Sequence, residues 1–581
     1  MYVGKTDPIP LPSVPEGGKL ITLGNGYIYY VTESYWDKVK KRTIDNRIGI
    51  GKLDPNNSEQ MFPNKAFARI FGQKQADADK EVASLRQFYS AGARRIAGRL
   101  DFTVSYGPFA VLRRCAERTG LWDSLKRSMP RLWREVFALA VHAVCAEQSC
   151  AQSFPGWAFD HWCGLDEPPS DSTISRLYRE LSQSPECLNT FFELYRENFH
   201  KLFPCSRERV VAFDSTNQVT ESRHQSQARR GKAKTGEALP VISTAMYVDE
   251  ITGISLWYEH FDGNILDKTE TPYSVAKAQQ LGFNKLFLMM DRGYYSENSE
   301  TAARKIDLLG IGFGMMMPET IAIVSRTIAS HQETIRLKEL YYVPEEDIYG
   351  CQTDITLPSG NSFYAYVYYD DHTAVTERNA VHAQLNFFMG EAQSRQRFTD
   401  KMQDYFARRG IIVTKSDKPD QGGRNFTLSI DHEMAQRAYD GAGFFMVLSN
   451  RLMTAADMIK IARRRDSAEK AFRDLKSHFS LARTYTHSTE AYNGKMFVSF
   501  VSLVLLQAFR WFERQALQSS SSATTATLLS ELGKYKIQER KDGTWMPVYA
   551  LNKLQKSLLE GADLTEADLE EQVRGLQVKR L

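Results

Sequence analysis

The sequence predicts an α/β protein whose central mixed sheet is interrupted by an inserted α/β lobe and preceded by a helical domain. Three stretches carry that expectation. Arg209-Val-Val-Ala-Phe-Asp214 and Lys285-Leu-Phe-Leu-Met-Met-Asp291 are apolar runs of strand length, each ending on one carboxylate. Arg463-Arg-Arg-Asp-Ser-Ala-Glu469-Lys-Ala-Phe-Arg-Asp-Leu-Lys476 reads as a basic helix carrying a glutamate. Far more chain separates Asp291 from Glu469 than a core of this kind needs, which predicts the insertion.

At 581 residues the chain is too long for one core, and about three to five domains is the expectation. Hydrophobic content of 42% and charged content of 25% fit an ordinary soluble globular protein. The net charge of +4 is mild, so affinity for nucleic acid has to come from local clusters. Seven scattered cysteines without a CxxC pair predict reduced thiols in a cytoplasmic protein and no disulfide framework. His142 near Cys145 and His161 near Cys163 fit none of the usual zinc spacings. No basic flank leads into an apolar stretch at the N-terminus, so no signal peptide is expected. The longest apolar segment, Met496 to Phe509, falls short of the roughly 20 residues that span a bilayer. It reads as a buried core helix, and no membrane partner is expected.

Residues 1–105 mix short strand-like pieces, such as Leu20 to Val31, with polar loops. Residues 106–206 turn helical, most clearly over Arg134 to Cys145 and Leu188 to Leu202. Between them, Pro168-Pro-Ser170-Asp-Ser-Thr-Ile-Ser-Arg176-Leu-Tyr-Arg179 starts a helix with hydroxyls and arginines in its first turns. That pattern fits a DNA-reading helix and an ordinary capped surface helix equally. Residues 207–317 then alternate as strand Arg209 to Asp214, a hairpin across Asp249-Glu-Ile-Thr-Gly253, helix Thr269 to Leu281, strand Lys285 to Asp291, helix Glu297 to Leu309 and a strand from Ile311. The order β-β-β-α-β-α-β sets the first strand beside the fourth. It is the order of a ribonuclease-H-like core, and it would bring Asp214 and Asp291 together at one end of the sheet. Residues 318–440 form the expected insertion, with a hairpin around Pro358-Ser-Gly-Asn361 and a charged helical stretch from Thr373 to Arg409, projecting from the sheet. The core resumes over residues 441–517. Residues 518–581 open with a Ser/Thr-rich linker and end in a helical tail.

Carboxylates delivered from two strand ends and one helix are what a pair of Mg²⁺ ions, with Mn²⁺ as a substitute, needs to hold a phosphodiester. Glu469 has a competing role, because Asp466-Ser-Ala-Glu469 matches a helix capping box. Helical geometry favours the metal-ligand role. Ala468, Phe472, Leu475 and Phe479 make one buried stripe, while Arg465, Glu469 and Lys476 share a face ~80° to its side. A carboxylate flanked by two cations at the rim of a core suits a metal ligand with phosphate-gripping neighbours.

With these residues in place, the chain resembles the DDE-type insertion-sequence transposases, in particular the IS-four-like group with an inserted domain between the second and third acids. In that group the third acid lies in a Tyr-x2-Arg-x3-Glu-x6-Lys signature. Arg465, Glu469 and Lys476 match its spacing, and Ala462 stands at the tyrosine position. Phe213-Asp214-Ser-Thr, Gly263-Asn264-Ile-Leu-Asp267-Lys-Thr and Asp291-Arg292-Gly293-Tyr294 are further matches over residues 207 to 515. Asp267 is read as the cap of the helix that follows it. The resemblance implies cleavage at terminal inverted repeats, transfer of 3′-hydroxyl ends to target DNA, and a homodimer in the synaptic complex. Asp214, Asp291 and Glu469 would be catalytic metal ligands, and Arg465, Lys476 and Arg292 would contact DNA.

Arg223 to Lys234 carries five formal positive charges and no acid, directly after the first aspartate strand. Beside a phosphodiester site this run, with Arg229, Arg230, Lys232 and Lys234, reads as a DNA clamp. Two rivals remain open: a nuclease on the same fold without strand transfer, and a catalytically idle DNA-binding protein.

Overall fold

A computed structural model describes residues 9–12, 19–24, 26–37, 42–64, 66–67, 102–205, 207–231, 236–295, 300–416, 425–517, 523–540 and 542–576. Residues 1–100 and 101–580 separate into two compact units. In the first unit, β1 (Ile9–Pro10), β2 (Lys19–Thr22), β3 (Tyr27–Asp37), β4 (Arg42–Asp54) and β5 (Asn57–Pro63) form an antiparallel sheet in the order β1-β5-β4-β3-β2. Its small core is Ile28, Ile50, Met61 and Phe67.

The second unit is mixed α/β. Its main sheet contains β7 (Arg209–Thr220), β9 (Pro240–Asp249), β10 (Ser255–Asp262), β11 (Leu286–Met290) and β12 (Gly312–Met317), in the order β10-β9-β7-β11-β12. The first three are antiparallel to one another, and β7, β11 and β12 run parallel. Both faces of β11 are buried, as its unbroken apolar sequence requires. Leu286, Leu288 and Met290 join the main core, whereas Phe287 and Met289 join a second core on the opposite face.

Beyond β12 the sheet continues through β18 (Phe444–Ser449), β15 (Ser362–Tyr369), β14 (Ile348–Thr356) and β13 (Tyr342–Val343), all antiparallel. This differs from the expectation that the whole insertion stands off the sheet. The β14–β15 hairpin is rich in tyrosine, and six residue pairs join β15 to β18, from Tyr364↔Ser449 to Tyr369↔Phe444. Burial of Tyr366, Val367, Tyr368 and Tyr369 makes that extension favourable. Among the described residues, the segment that follows has a small core of its own. It comprises α10 (Asp371–Gln393), α11 (Asp400–Ala407), the hairpin β16 (Ile411–Lys415) with β17 (Phe426–Ile430), and α12 (His432–Gly441), packed around Ala392, Phe406 and Ile411.

The helical region before the sheet comprises α1 (Gly107–Arg118), α2 (Leu121–Ser128), α3 (Trp133–Ala146), α4 (Phe154–Asp160), α5 (Asp171–Ser182) and α6 (Pro185–Leu202). Ser170 caps α5 by accepting from the Thr173 amide. Ile174, Leu177, Tyr178 and Leu181 of α5 are buried, and α5 packs on α15 (Thr489–Leu517) while Arg176 and Arg179 stay at the surface. The apolar segment expected as a core helix is the middle of this 29-residue α15. By length and composition α15 could cross a membrane, yet 83% of its most apolar window is covered by the protein itself. After the linker, α16 (Thr525–Gly533) is followed by the strands β20 (Lys536–Glu539) and β21 (Trp545–Pro547) and then by α17 (Lys553–Gly561) and α18 (Glu566–Arg574). The tail is thus not purely helical. β20 pairs with β6 (Thr103–Ser105) and stitches the end of the chain to the start of this unit.

Two core histidines give this unit a defined acid sensitivity. His260 Nδ1 lies 2.9 Å from Thr244 Oγ1, and burial, with a lesser push from Lys277, lowers its pKa to about 3. His142, ringed by Phe154 and Trp157 and bonded to Ser153, is lowered to about 4, again chiefly by burial. It is a packed neutral imidazole. Both folded pKa values lie below the unfolded 6.5, so the stabilisation is complete above pH 6.5 and is lost as pH falls, to about 4 for His142 and about 3 for His260. Each histidine should steepen that loss by roughly 1.4 kcal/mol per pH unit. His260→Gln should therefore lose less stability than the parent between pH 7 and pH 5 in urea titrations. Equal slopes would show that His260 does not carry the effect.

Candidate active site

Asp214 and Asp291 stand at the same height on neighbouring strands. The parallel register pairs Met289 with Ala212; carried two residues on, one past the end of β11 where the backbone is still extended, it sets Asp291 beside Asp214. Val210 packs into the second core together with Phe287 and Met289. Residues paired in parallel register point the same way, so the two aspartates leave the same face of the sheet.

The apolar run ends at Asp214, but the strand does not. β7 continues to Thr220 because β9 stays paired with it as far as Val219↔Val241. Past the end of β11, β19 (Arg483–Thr484) takes over as the parallel neighbour of Val219 and Thr220. Ser215, Thr216, Asn217, Gln218 and Thr220 are buried in this extension. Gln218 donates to the Leu481 carbonyl at 2.7 Å and accepts from the Tyr492 hydroxyl at 2.6 Å. These bonds tie the aspartate strand to the chain that leaves the glutamate helix.

That helix is α14 (Asp466–Arg473), which follows α13 (Ala455–Arg463) after a tight turn and packs on β7 and β9. The expected stripe is present, with Ala468, Phe472, Leu475 and Phe479 all buried. The capping box is not. Arg465 occupies the N-cap without a side-chain bond, and Asp466 instead pairs with Lys470 at 2.6 Å. Glu469 is left to Arg465, whose guanidinium lies 2.5 Å from Asp291 Oδ1 and 3.3 Å from Glu469 Oε1. One cation therefore joins the second aspartate to the glutamate.

Two residues at this site carried no functional role in the sequence reading. Asp291 Oδ1 accepts from the Arg292 amide at 2.6 Å and opens a 3₁₀ turn over Arg292–Tyr294. The turn returns the buried Tyr294 ring toward β7, where its hydroxyl lies 3.4 Å from Asp214 Oδ1. Burial, and then the charges of Asp214 and Asp267, raise the Tyr294 pKa well above its ordinary value. Asp267 does not cap α7 (Asp267–Gln280), because Leu266 holds the N-cap and no side-chain cap bond forms. Its charge acts on Tyr294 instead. The Asp291-x2-Tyr294 spacing, one tight turn beyond a strand end, is the sequence signal for the tyrosine.

Among the expected DNA contacts, Arg292 faces Glu319 at 3.6 Å and Arg229 pairs with Asp262 at 3.5 Å. Arg229 and Arg230 form the short strand β8 on the edge of β9 and are exposed. Gly231 lies so close to the chain at Gly263 that a Cβ would meet the Gly263 carbonyl oxygen at 2.1 Å, which fixes this basic segment against the Gly263-Asn264 turn. Lys232 and Lys234 lie outside the described residues. Lys476 is half-buried in a π-turn over Asp474–His478, so it sits on a wider turn than its seven-residue spacing from Glu469 assumes. Ala462, at the signature tyrosine position, packs against the second core.

Among the described residues no group of three or more His, Cys, Asp or Glu side chains is gathered closely enough to hold a metal ion. Asp291 and Glu469 meet through Arg465, and Asp214 lies on the strand beside the one that leads to Asp291.

No family model and no curated protein matches the chain. Among solved structures it is similar to a piggyBac transposase synaptic complex with hairpin DNA, at 10% identity and a TM-score of 0.32, covering 83% of this chain and 88% of that one. At that level the likeness assigns neither family nor activity.

Proposed function

We propose that the chain is a DNA transposase on a ribonuclease-H-like core, which binds the terminal inverted repeats of its element, cuts there and joins 3′-hydroxyl ends to target DNA. The observation that carries this reading is the equal height of Asp214 and Asp291 on parallel neighbours, with Glu469 linked to Asp291 through Arg465. The strand order β10-β9-β7-β11-β12 and the motifs around the three acids support it.

Asp214, Asp291 and Glu469 offer carboxylate oxygens, the donors that Mg²⁺ and Mn²⁺ take. The Arg465 guanidinium already serves two of them, so positive charge is suited to this place. Two divalent ions held there would supply Lewis-acid charge to the phosphoryl group and make a hydroxyl nucleophilic near neutral pH. The chain's own residues do the positioning. Asp214 and Asp291 are fixed by the sheet, and Tyr294 keeps its proton and donates it in a hydrogen bond that orients Asp214. Arg465, exchanged from the acids, is placed to grip the phosphate beside the cut. Two copies would pair two element ends in the cytoplasm.

A strand-transfer assay tests the reading against its nuclease rival. A precut end with a free 3′-hydroxyl, given Mg²⁺ and a plasmid, should be inserted into that plasmid. Degradation of such ends without joining, while cleavage is brisk, would favour the nuclease. Binding without either reaction would favour the idle DNA-binding protein.

A further inference from the structure

On the other side of α14 from its buried stripe lies a polar cleft of about 970 Å³. It is walled by the α13–α14 corner, the β9–β10 turn, the C-terminal end of α15 and the start of α16. Arg463, Arg464, Arg473, Arg510, Arg514 and Lys470 line it. Two of these arginines are anchored by buried carboxylates: Asp474 holds Arg510 at 2.6 Å, and Glu250 holds Arg464 at 3.2 Å. Burying a carboxylate is costly unless it is paired, so these acids are spent on fixing guanidinium groups at the cleft wall. Two other arginines are exposed, and among the described residues neither Arg473, on α14, nor Arg514, on α15, has an ion-pair partner.

We propose that this cleft is a second phosphodiester-binding site, which holds the DNA backbone away from the reacting bond. The inference rests on the reading of the protein as one that acts on DNA. Arg473 is four residues beyond Glu469, so their Cβ atoms are about 5–6 Å apart on the helix surface. A strand leaving the three acids meets Arg473 first and then the cleft, where Arg514 faces it from α15. Planar, always-charged guanidinium forks suit phosphate oxygens. The polar walls and anchored cations fit a phosphate backbone better than an apolar ligand.

Arg473→Glu and Arg514→Glu test the cleft, with Arg437→Glu on the exposed face of α12 as a control for net charge. Affinity for a labelled duplex would be read by fluorescence anisotropy over a series of salt concentrations, with unfolding curves for each variant. Each cleft variant should bind roughly tenfold more weakly at physiological salt. Each should also lower the slope of log affinity against log salt by close to one unit. Arg473→Gln and Arg514→Gln should show the same slope change, which guards against misfolding of the reversed-charge forms. If the control loses as much as the cleft variants, or if the cleft variants match the wild type, the cleft is not a DNA site although the DNA reading stands. If the wild-type protein binds no DNA, the DNA reading fails and takes this proposal with it.

Discussion

Asp214→Ala, Asp291→Ala and Glu469→Gln are each expected to reduce Mg²⁺- or Mn²⁺-dependent cleavage of end-containing DNA by about a thousandfold or more. DNA affinity should stay within a few fold. The magnitude corresponds to about 4 kcal/mol of lost transition-state stabilisation, a reasonable share of what metal ions supply in phosphoryl chemistry. Binding is spared because removing an acid removes no contact to a phosphate. The three variants should differ in a second respect. Asp291 and Glu469 share Arg465, so losing either one leaves that guanidinium with a single acid partner and more of its donors open to a phosphate, whereas Asp214 is held by Tyr294 and its own strand. Asp291→Ala and Glu469→Gln should therefore bind DNA at least as tightly as Asp214→Ala. Gel-shift and cleavage assays on the same substrate measure both effects. Substantial cleavage by any of the three would mean that the acids are wrongly assigned.

Gly494→Ala is expected to cost about 3–5 kcal/mol of stability, seen as a large fall in the urea midpoint. The helix α15 crosses α5 at this glycine so closely that an added Cβ would lie 1.9 Å from the Tyr178 carbonyl oxygen and 2.5 Å from its carbon. The obstacle is backbone, which cannot rotate aside. The two helices would have to separate, and Ile174, Leu177, Tyr178 and Leu181 would lose their packing. Gly390→Ala in the exposed α10 is the control, because its new methyl group meets nothing within 4 Å. That change should be neutral or stabilising by up to about 1 kcal/mol, from helix propensity alone. Equal midpoints for the two variants would show that the crossing at Gly494 is not a tight one.

The extended strand β7 shows why part of the site was hidden. Ser215 to Gln218 is polar, and polar residues after an apolar run read as a loop. They are buried because β9 and β19 flank the strand and because Leu481 and Tyr492, distant in sequence, satisfy Gln218. The same limit applies to the helix of Glu469. Its apolar stripe was legible from spacing, but the spacing cannot say whether Glu469 bonds back to a backbone amide or out to Arg465. That choice depends on Asp291, which comes from another element and draws the guanidinium across.

The sequence by itself determined the β-β-β-α-β-α-β succession, the neighbouring aspartate strands, the stripe of α14 and the core helix within α15. All of these follow from local periodicity and from the rule that parallel strands need a crossover. Tertiary structure alone decided where the β14–β15 hairpin goes, which residues Arg465 joins, how Tyr294 returns to Asp214, and which arginines around the cleft beside α14 have no ion-pair partner among the described residues. Each of those depends on contacts between segments far apart in the chain. A side chain's partner is then set by which surfaces compete for burial and for charge, and no local pattern records the outcome.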